Sequence, residues 1–292
     1  MSEPIRSRKA YEGESKRDLS FPPLPEPLTV ATYDNHTHLE IADGENPLAP
    51  EENLRRATEV GIKGVVQVGT DLETSRWSAD LADRDPRVLA SVAIHPNEAP
   101  KLFERGVLDE HLAGIAELAT RERVRAVGET GLDFFRTDEA GRVPQLASFE
   151  AHIEIAKQND IALQIHDRDA HGEVVETLLR VGAPAKTVFH CFSGDGELAK
   201  VCADNGWYMS FSGTVTFGNA KGIREALEIA PRELVLIETD APFLTPTPFR
   251  GRPNGSYLIP LTLRFMAEHL GVTPEELAAD ISRNTETVYG RW

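Results

Sequence analysis

Short apolar runs alternate with helix-like stretches about eight times between residues 29 and 289, and most of the runs end on a histidine or an acid. The runs read as strands fall at 27–34, 64–69, 88–95, 124–129, 161–166, 187–190, 207–211 and 234–240. Helix punctuation lies between them: Pro50-Glu51-Glu52 opens one helix and Gly61 follows its end. Further helices near 257–270 and 274–289 close the chain. Alternation of this kind implies parallel strands with helical crossovers. Eight units close into an α/β fold of the (β/α)8 TIM-barrel type, which takes about 250 residues; 292 suffice. The rival is an open doubly wound sheet. No Gly-x-Gly-x-x-Gly follows the first strand, so the usual dinucleotide cue is missing. Ionisable strand ends are spread over the whole chain, and only a closed ring brings the first and eighth strands together.

His36 and His38 stand two apart, so in a strand their rings project to one face. Two imidazoles on one rigid edge make half a metal site. His95 ends the third strand, Glu129 the fourth, His166 the fifth, His190 the sixth and Asp240 the eighth. On a barrel such residues converge at the C-terminal face. Four histidines with Glu129 and Asp240 supply ligands for two divalent ions, with Glu129 able to bridge. Two ions about 3.5–4 Å apart are the usual phosphoester-cleaving arrangement. The remaining histidines, His111, His152, His171 and His269, lie on or beside helices and read as surface or packing residues, with His171 near the barrel mouth. Glu238 faces the interior one layer below Asp240 and reads as support for a ligand histidine, with a ligand to an additional metal ion as the alternative. Cys191 is expected to point away from the ligand face, and Cys202 to pack in a helix.

The formal charge of −16 is the wrong sign for a protein that grips duplex DNA along a broad face. It leaves room for a nuclease whose ions and a few arginines neutralise phosphates locally. No apolar run approaches the roughly 18 residues of a membrane span. The first nine residues lack an apolar signal core, and two cysteines make no disulfide framework, so a cytoplasmic protein is expected. Residues 1–28 are polar and end in Phe21-Pro22-Pro23-Leu24-Pro25-Glu26-Pro27. They read as a flexible extension with a proline-stiffened lead-in, leaving 29–292 as one catalytic barrel. A barrel needs no partner to bury its core, so a monomer is expected.

Asp34-Asn35-His36-Thr37-His38-Leu39, Ile94-His95-Pro96, Gly128-Glu129-Thr130-Gly131-Leu132-Asp133, Gln164-Ile165-His166-Asp167-Arg168, His190-Cys191-Phe192-Ser193-Gly194 and Glu238-Thr239-Asp240-Ala241-Pro242-Phe243-Leu244 follow one another in this order. The ordered set resembles the TatD family of metal-dependent deoxyribonucleases, in register from about Tyr33 to Tyr289. The resemblance implies a TIM-type barrel with two metal ions. His36, His38, Glu129 and Asp240 would hold one, and Glu129, His166 and His190 the other. It implies cleavage of DNA phosphodiesters, from the 3′ end of single strands, and puts His95 on the substrate side. Glu40 stands where the family usually has aspartate, and Gly255-Ser256 where it has Glu-Pro; neither is a proposed ligand.

On this reading a water activated by the ions attacks phosphorus, and Asp240 orients it and takes its proton. Arg168, Arg250 and Arg252 would hold flanking phosphates. Four imidazoles favour zinc, manganese or nickel, whereas magnesium prefers oxygen, although the family is described as magnesium-dependent. A second reading keeps the site and changes the substrate: a metal-dependent ester or amide hydrolase, such as an aminoacyl-tRNA deacylase. Many amide-cleaving barrels bridge their ions with a carboxylated lysine at the end of the fourth strand, where this chain has Glu129. A metal-binding scaffold without turnover is the reading of another class.

Overall fold

The computed structural model describes residues 3–8 and 17–292. Its strands are β1 (Arg6–Ser7), β2 (Thr32–Thr37), β3 (Ile41–Ala42), β4 (Ile62–Val68), β5 (Val88–Val92), β6 (Val124–Asp133), β7 (Ala162–Arg168), β8 (Thr187–Phe189), β9 (Tyr208–Phe211) and β10 (Val235–Ile237). The α-helices are α1 (Pro50–Glu59), α2 (Leu72–Arg84), α3 (Ala99–Glu104), α4 (Leu108–Leu118), α5 (Glu139–Asn159), α6 (His171–Val181), α7 (Gly196–Asn205), α8 (Lys221–Ile229), α9 (Ile259–Leu270) and α10 (Pro274–Tyr289). Helix starts follow local chemistry. The Asp71 and Thr273 side chains close capping boxes with Thr74 and Glu276, and Asp195 accepts from the Glu197 and Leu198 amides at the head of α7.

Eight strands pair in parallel in the order β2-β4-β5-β6-β7-β8-β9-β10, as expected for a TIM barrel. The ring closes between β2 and β10 largely beyond the end of β10. Thr37 bridges Ala241, the Asp240 amide donates to the His36 carbonyl (3.0 Å), and the His38 amide donates to the Ala241 carbonyl (2.8 Å). Below this, the buried Asp34 carboxylate accepts from the Thr239 amide (2.9 Å) and hydroxyl (2.6 Å).

Strand alternation divides the apolar residues into two cores. Val65, Val92, Val127, Ile165, Phe189, Phe211 and Ile237 pack with the helices. Val66, Val68, Leu89, Ala126, Ala162, Val188 and Leu236 form a second cluster with Val288 and Tyr289, the last residues of α10. Tyr289 plugs the barrel: its hydroxyl donates to Asn35 Oδ1 (3.1 Å) and accepts from Gln164 Nε2 (2.7 Å). Tyr289→Phe would leave the buried Asn35 Oδ1 without its hydrogen-bond donor, at about 1–3 kcal/mol, while Gln164 Nε2 keeps the Asn35 carbonyl (2.7 Å). The expected result is a lowered urea midpoint at unchanged m-value; an unchanged midpoint would show that the hydroxyl does no structural work.

Four expectations are revised. The first strand runs over 32–37 rather than 27–34, because Pro27 has no amide to donate and the chain pairs with β4 only from Thr32 onward. The fourth barrel strand continues to Asp133, so Glu129 lies inside it, at a register irregularity between Val127 and Thr130. The short helix α3 was not anticipated. The described parts of the N-terminal extension are docked. β1 pairs with β3, Arg6 binds Asp71, Arg17 binds Asp43 (2.7 Å), and Tyr257 donates to the Pro22 carbonyl (2.9 Å). The remainder of the expected flexible tail, 1–2 and 9–16, lies outside the described residues.

Candidate metal centre

His36 in β2 and His38 just after it turn their Nε2 atoms towards one another at 3.2 Å. The His38 Nδ1 atom lies 3.0 Å from the Val68 carbonyl, which only accepts, so Nδ1 carries the proton and Nε2 presents its lone pair. Asp240 follows β10 with φ +52°, a left-handed conformation that aspartate tolerates better than most residues. Its Oδ1 atom stands 3.8 Å from His36 Nε2 and 3.5 Å from His38 Nε2. Glu129 Oε2 stands 3.9 and 3.8 Å from the same two nitrogens. Four donor atoms thus surround one small volume.

The other Glu129 oxygen, Oε1, faces a second group. It lies 2.6 Å from His166 Nδ1, 3.1 Å from His190 Nε2 and 3.4 Å from His95 Nε2. One buried carboxylate is therefore divided between two clusters of imidazoles. His36, His38 and Glu129, and separately His95, Glu129 and His166, bring ligand atoms within 4.8 Å of one another. The donor set fits divalent cations. Facing lone pairs on His36 and His38 repel unless a cation or a shared proton lies between them, and a buried carboxylate needs a positive partner.

In the absence of metal, protons do that work. Burial would favour the neutral His38 ring, but Asp240 and Glu40 outweigh it and hold its pKa well above the usual histidine value. His36 goes the other way, held well below that value by burial and by the neighbouring His190 and His38. Burial opposes ionisation of Glu129, yet His95, His190 and His166 keep its pKa well below the carboxylate range. His166 sits between two carboxylates, Glu129 and, at Nε2, Asp133 Oδ2 (3.3 Å). They overcome burial and raise its pKa to about 9. An ion at this second position would replace the proton between His166 and Glu129.

His95 differs in kind. Its Nδ1 atom accepts the Asn97 amide (3.0 Å), so the neutral ring carries its proton on Nε2, and burial lowers the pKa. It turns an N–H donor, rather than a lone pair, towards Glu129 Oε1. Glu238, fully buried, sets Oε1 2.9 Å from His190 Nδ1 and accepts the Cys191 amide (2.9 Å), orienting the ring from behind. Glu40 takes a comparable place 3.5 Å from His38 Nδ1 and is anchored by Gln67 Nε2 (2.6 Å).

Of the arginines, Arg168 lies over the exposed Phe135 ring and Arg250 over Phe217, each 4.1 Å from the ring centroid. Arg252 is not brought to the centre. Its guanidinium donates to the Ser20 and Phe21 carbonyls and to Ser20 Oγ, each at 2.9 Å, and braces the N-terminal lead-in. His152 is a buried packing residue, bonded to the Ile94 amide and Thr130. Cys191 turns to Ser212 Oγ (3.3 Å). Asp133 and Asn97 were missed as members of the site. The alternation 129-131-133 along β6 was the available signal for Asp133, since it shares a face with Glu129.

A sequence profile of the family described as TatD related DNase matches residues 33–290. The chain is 40% identical over 261 residues to the uncharacterized metal-dependent hydrolase TatD of Mycobacterium tuberculosis, covering 88% of this chain and 97% of that one. It is 35% identical over 258 residues to the uncharacterized metal-dependent hydrolase YabD of Bacillus subtilis, covering 88% and 98%. Among solved structures, the TatD homologue YjjV of Escherichia coli superposes with a TM-score of 0.78 at 26% identity, over 88% of this chain and 97% of that one. No helix among the described residues is long and apolar enough to cross a membrane.

Proposed function

Because the chain belongs to the TatD-related DNase family of metal-dependent hydrolases, we propose that it hydrolyses DNA phosphodiesters, shortening single strands from the 3′ end, at a centre for two divalent ions. The observation that carries the two-ion reading is Glu129, whose Oε2 faces His36 and His38 while its Oε1 faces His166 and His190. His36, His38, Glu129 and Asp240 would hold one ion, and Glu129, His166 and His190 the other. When bound, such ions polarise a phosphoryl oxygen and lower the pKa of water. The imidazole-rich donors suit zinc, manganese or nickel better than magnesium.

The chain's own groups do the rest. Asp240 orients the attacking water and takes its proton on a carboxylate oxygen. His95, neutral and protonated on Nε2, donates to a phosphoryl oxygen where negative charge builds up. Arg168 and Arg250 hold the neighbouring phosphates. Incubating end-labelled single-stranded DNA with protein loaded with magnesium, manganese or zinc is expected to give a ladder that shortens from the 3′ end. Intact DNA with a full metal complement would overturn the substrate and turn the search to aminoacyl-tRNA esters.

A further inference from the structure

Beside the chain segments that carry His166 and His190, the loops after β7, β8 and β9 line an open cavity of about 430 Å3. Its lining includes His171, Ser193, Asp195, Thr214, Phe217 and Asn219. Two of its walls continue directly from the candidate ligands. On one side Asp167 follows His166, its carbonyl accepts from Ser193 Oγ (2.9 Å), and its carboxylate meets His171 Nδ1 (2.7 Å). On the other side Cys191 follows His190, contacts Ser212 Oγ at 3.3 Å, and Ser212 Oγ lies 2.9 Å from Thr214 Oγ1. The cavity is thus tied by the chain and by hydrogen bonds to the segments that carry His166 and His190.

The lining selects its occupant. The volume lies in the range of small-molecule sites, about 300–1,000 Å3, and is large enough for one base with its sugar. Phe217 supplies an aromatic wall, and Arg250, which does not line the cavity, packs over that ring with its guanidinium 4.1 Å from the centroid. Ser193, Thr214 and Asn219 offer donors and acceptors to base edges and hydroxyls. The acids nearby are engaged: Asp195 accepts two amides at the start of α7, and Asp167 pairs with His171. Their negative charge still repels a second phosphate, which favours an uncharged base and sugar inside, with the next phosphate outside beside Arg250.

We propose that this cavity binds the nucleoside adjoining the scissile phosphate, with the base stacked on Phe217. The proposal rests on the phosphodiesterase reading of the adjacent centre and names the part of the substrate that reading leaves unplaced. Loss of one base–aromatic stack weakens binding by roughly tenfold to a hundredfold.

The test uses the full-length, metal-loaded protein and two variants: Phe217→Leu, which keeps apolar bulk, and Phe217→Tyr, which restores the ring. Isothermal titration with deoxyadenosine 5′-monophosphate is expected to show binding that falls about tenfold to a hundredfold in Phe217→Leu and recovers in Phe217→Tyr. Binding of inorganic phosphate should be equal in all three. In steady-state assays, Phe217→Leu should lose the same factor in kcat/KM on single-stranded oligonucleotides and nothing on methyl p-nitrophenyl phosphate, which has no base or sugar. Equal nucleotide affinity in native protein and Phe217→Leu, or equal loss on both kinetic substrates, would overturn the subsite. Ring-dependent nucleotide binding without cleavage of either phosphodiester would keep the subsite and reject the phosphodiesterase reading.

Discussion

Asp240→Asn is expected to abolish hydrolysis while leaving the barrel folded and metal bound. Asparagine has the shape of aspartate and tolerates the left-handed conformation at φ +52° equally well, so the turn survives. The contacts that close the ring here are made by the Asp240 and His38 amides, which the substitution leaves in place. His36, His38 and Glu129 remain as donors to the first ion. An amide, however, cannot take a proton from water, and losing a general base costs about 10²–10⁴-fold in rate. The check pairs metal content by mass spectrometry with kcat/KM on single-stranded DNA. Retained turnover in a metal-loaded Asp240→Asn protein would remove Asp240 from the proton path and leave it a ligand only.

Metal should also stabilise the fold, increasingly so as pH rises. At a free concentration a thousandfold above its Kd an ion adds about 4 kcal/mol, roughly 8 °C in Tm for a chain of this size. In the metal-free fold the His166 pKa is raised from 6.5 to about 9. A histidine whose folded pKa is raised contributes its full stabilisation below pH 6.5 and loses it as pH climbs through about 9. Metal-free protein should therefore weaken across that window. The ion binds the unprotonated ring, so competition from the proton fades over the same range and the metal-induced rise in Tm grows. Thermal scans with and without chelator at pH 6.5 and pH 9 make the comparison, and titrations in buffers of different ionisation enthalpy count the protons released. A metal-induced shift that shrinks with rising pH would contradict the exchange of proton for metal at His166 and Glu129.

Much of this could be read along the chain because both signals are local. Strand–helix alternation and the placing of His36, His38, His95, His166, His190 and Asp240 at or near strand ends need only a window of a few residues. The features that escaped depend on partners far away in sequence. Arg252 follows a rim loop and looks like a phosphate ligand until the docked segment around Ser20 and Phe21 is placed against it. Asp133 shares a face with Glu129, but its partners at the site, His166 Nε2 and Asn97 Nδ2, stand more than thirty residues away. Tyr289 ends a surface-like amphipathic helix, yet its hydroxyl serves Asn35 and Gln164 inside the barrel. The strand β10 forms a ladder with β9 but none with β2, and the seal comes from Asp34, Thr239 and Ala241.

That seam has a consequence for synthesis. The candidate centre draws on His36 near one edge of the sheet and on Asp240 just past the other, more than two hundred residues later. A nascent chain released before residue 240 would carry every candidate histidine, and Glu129 as well, without the Asp240 carboxylate. The full donor set thus assembles as one late event, when the final strand reaches the first.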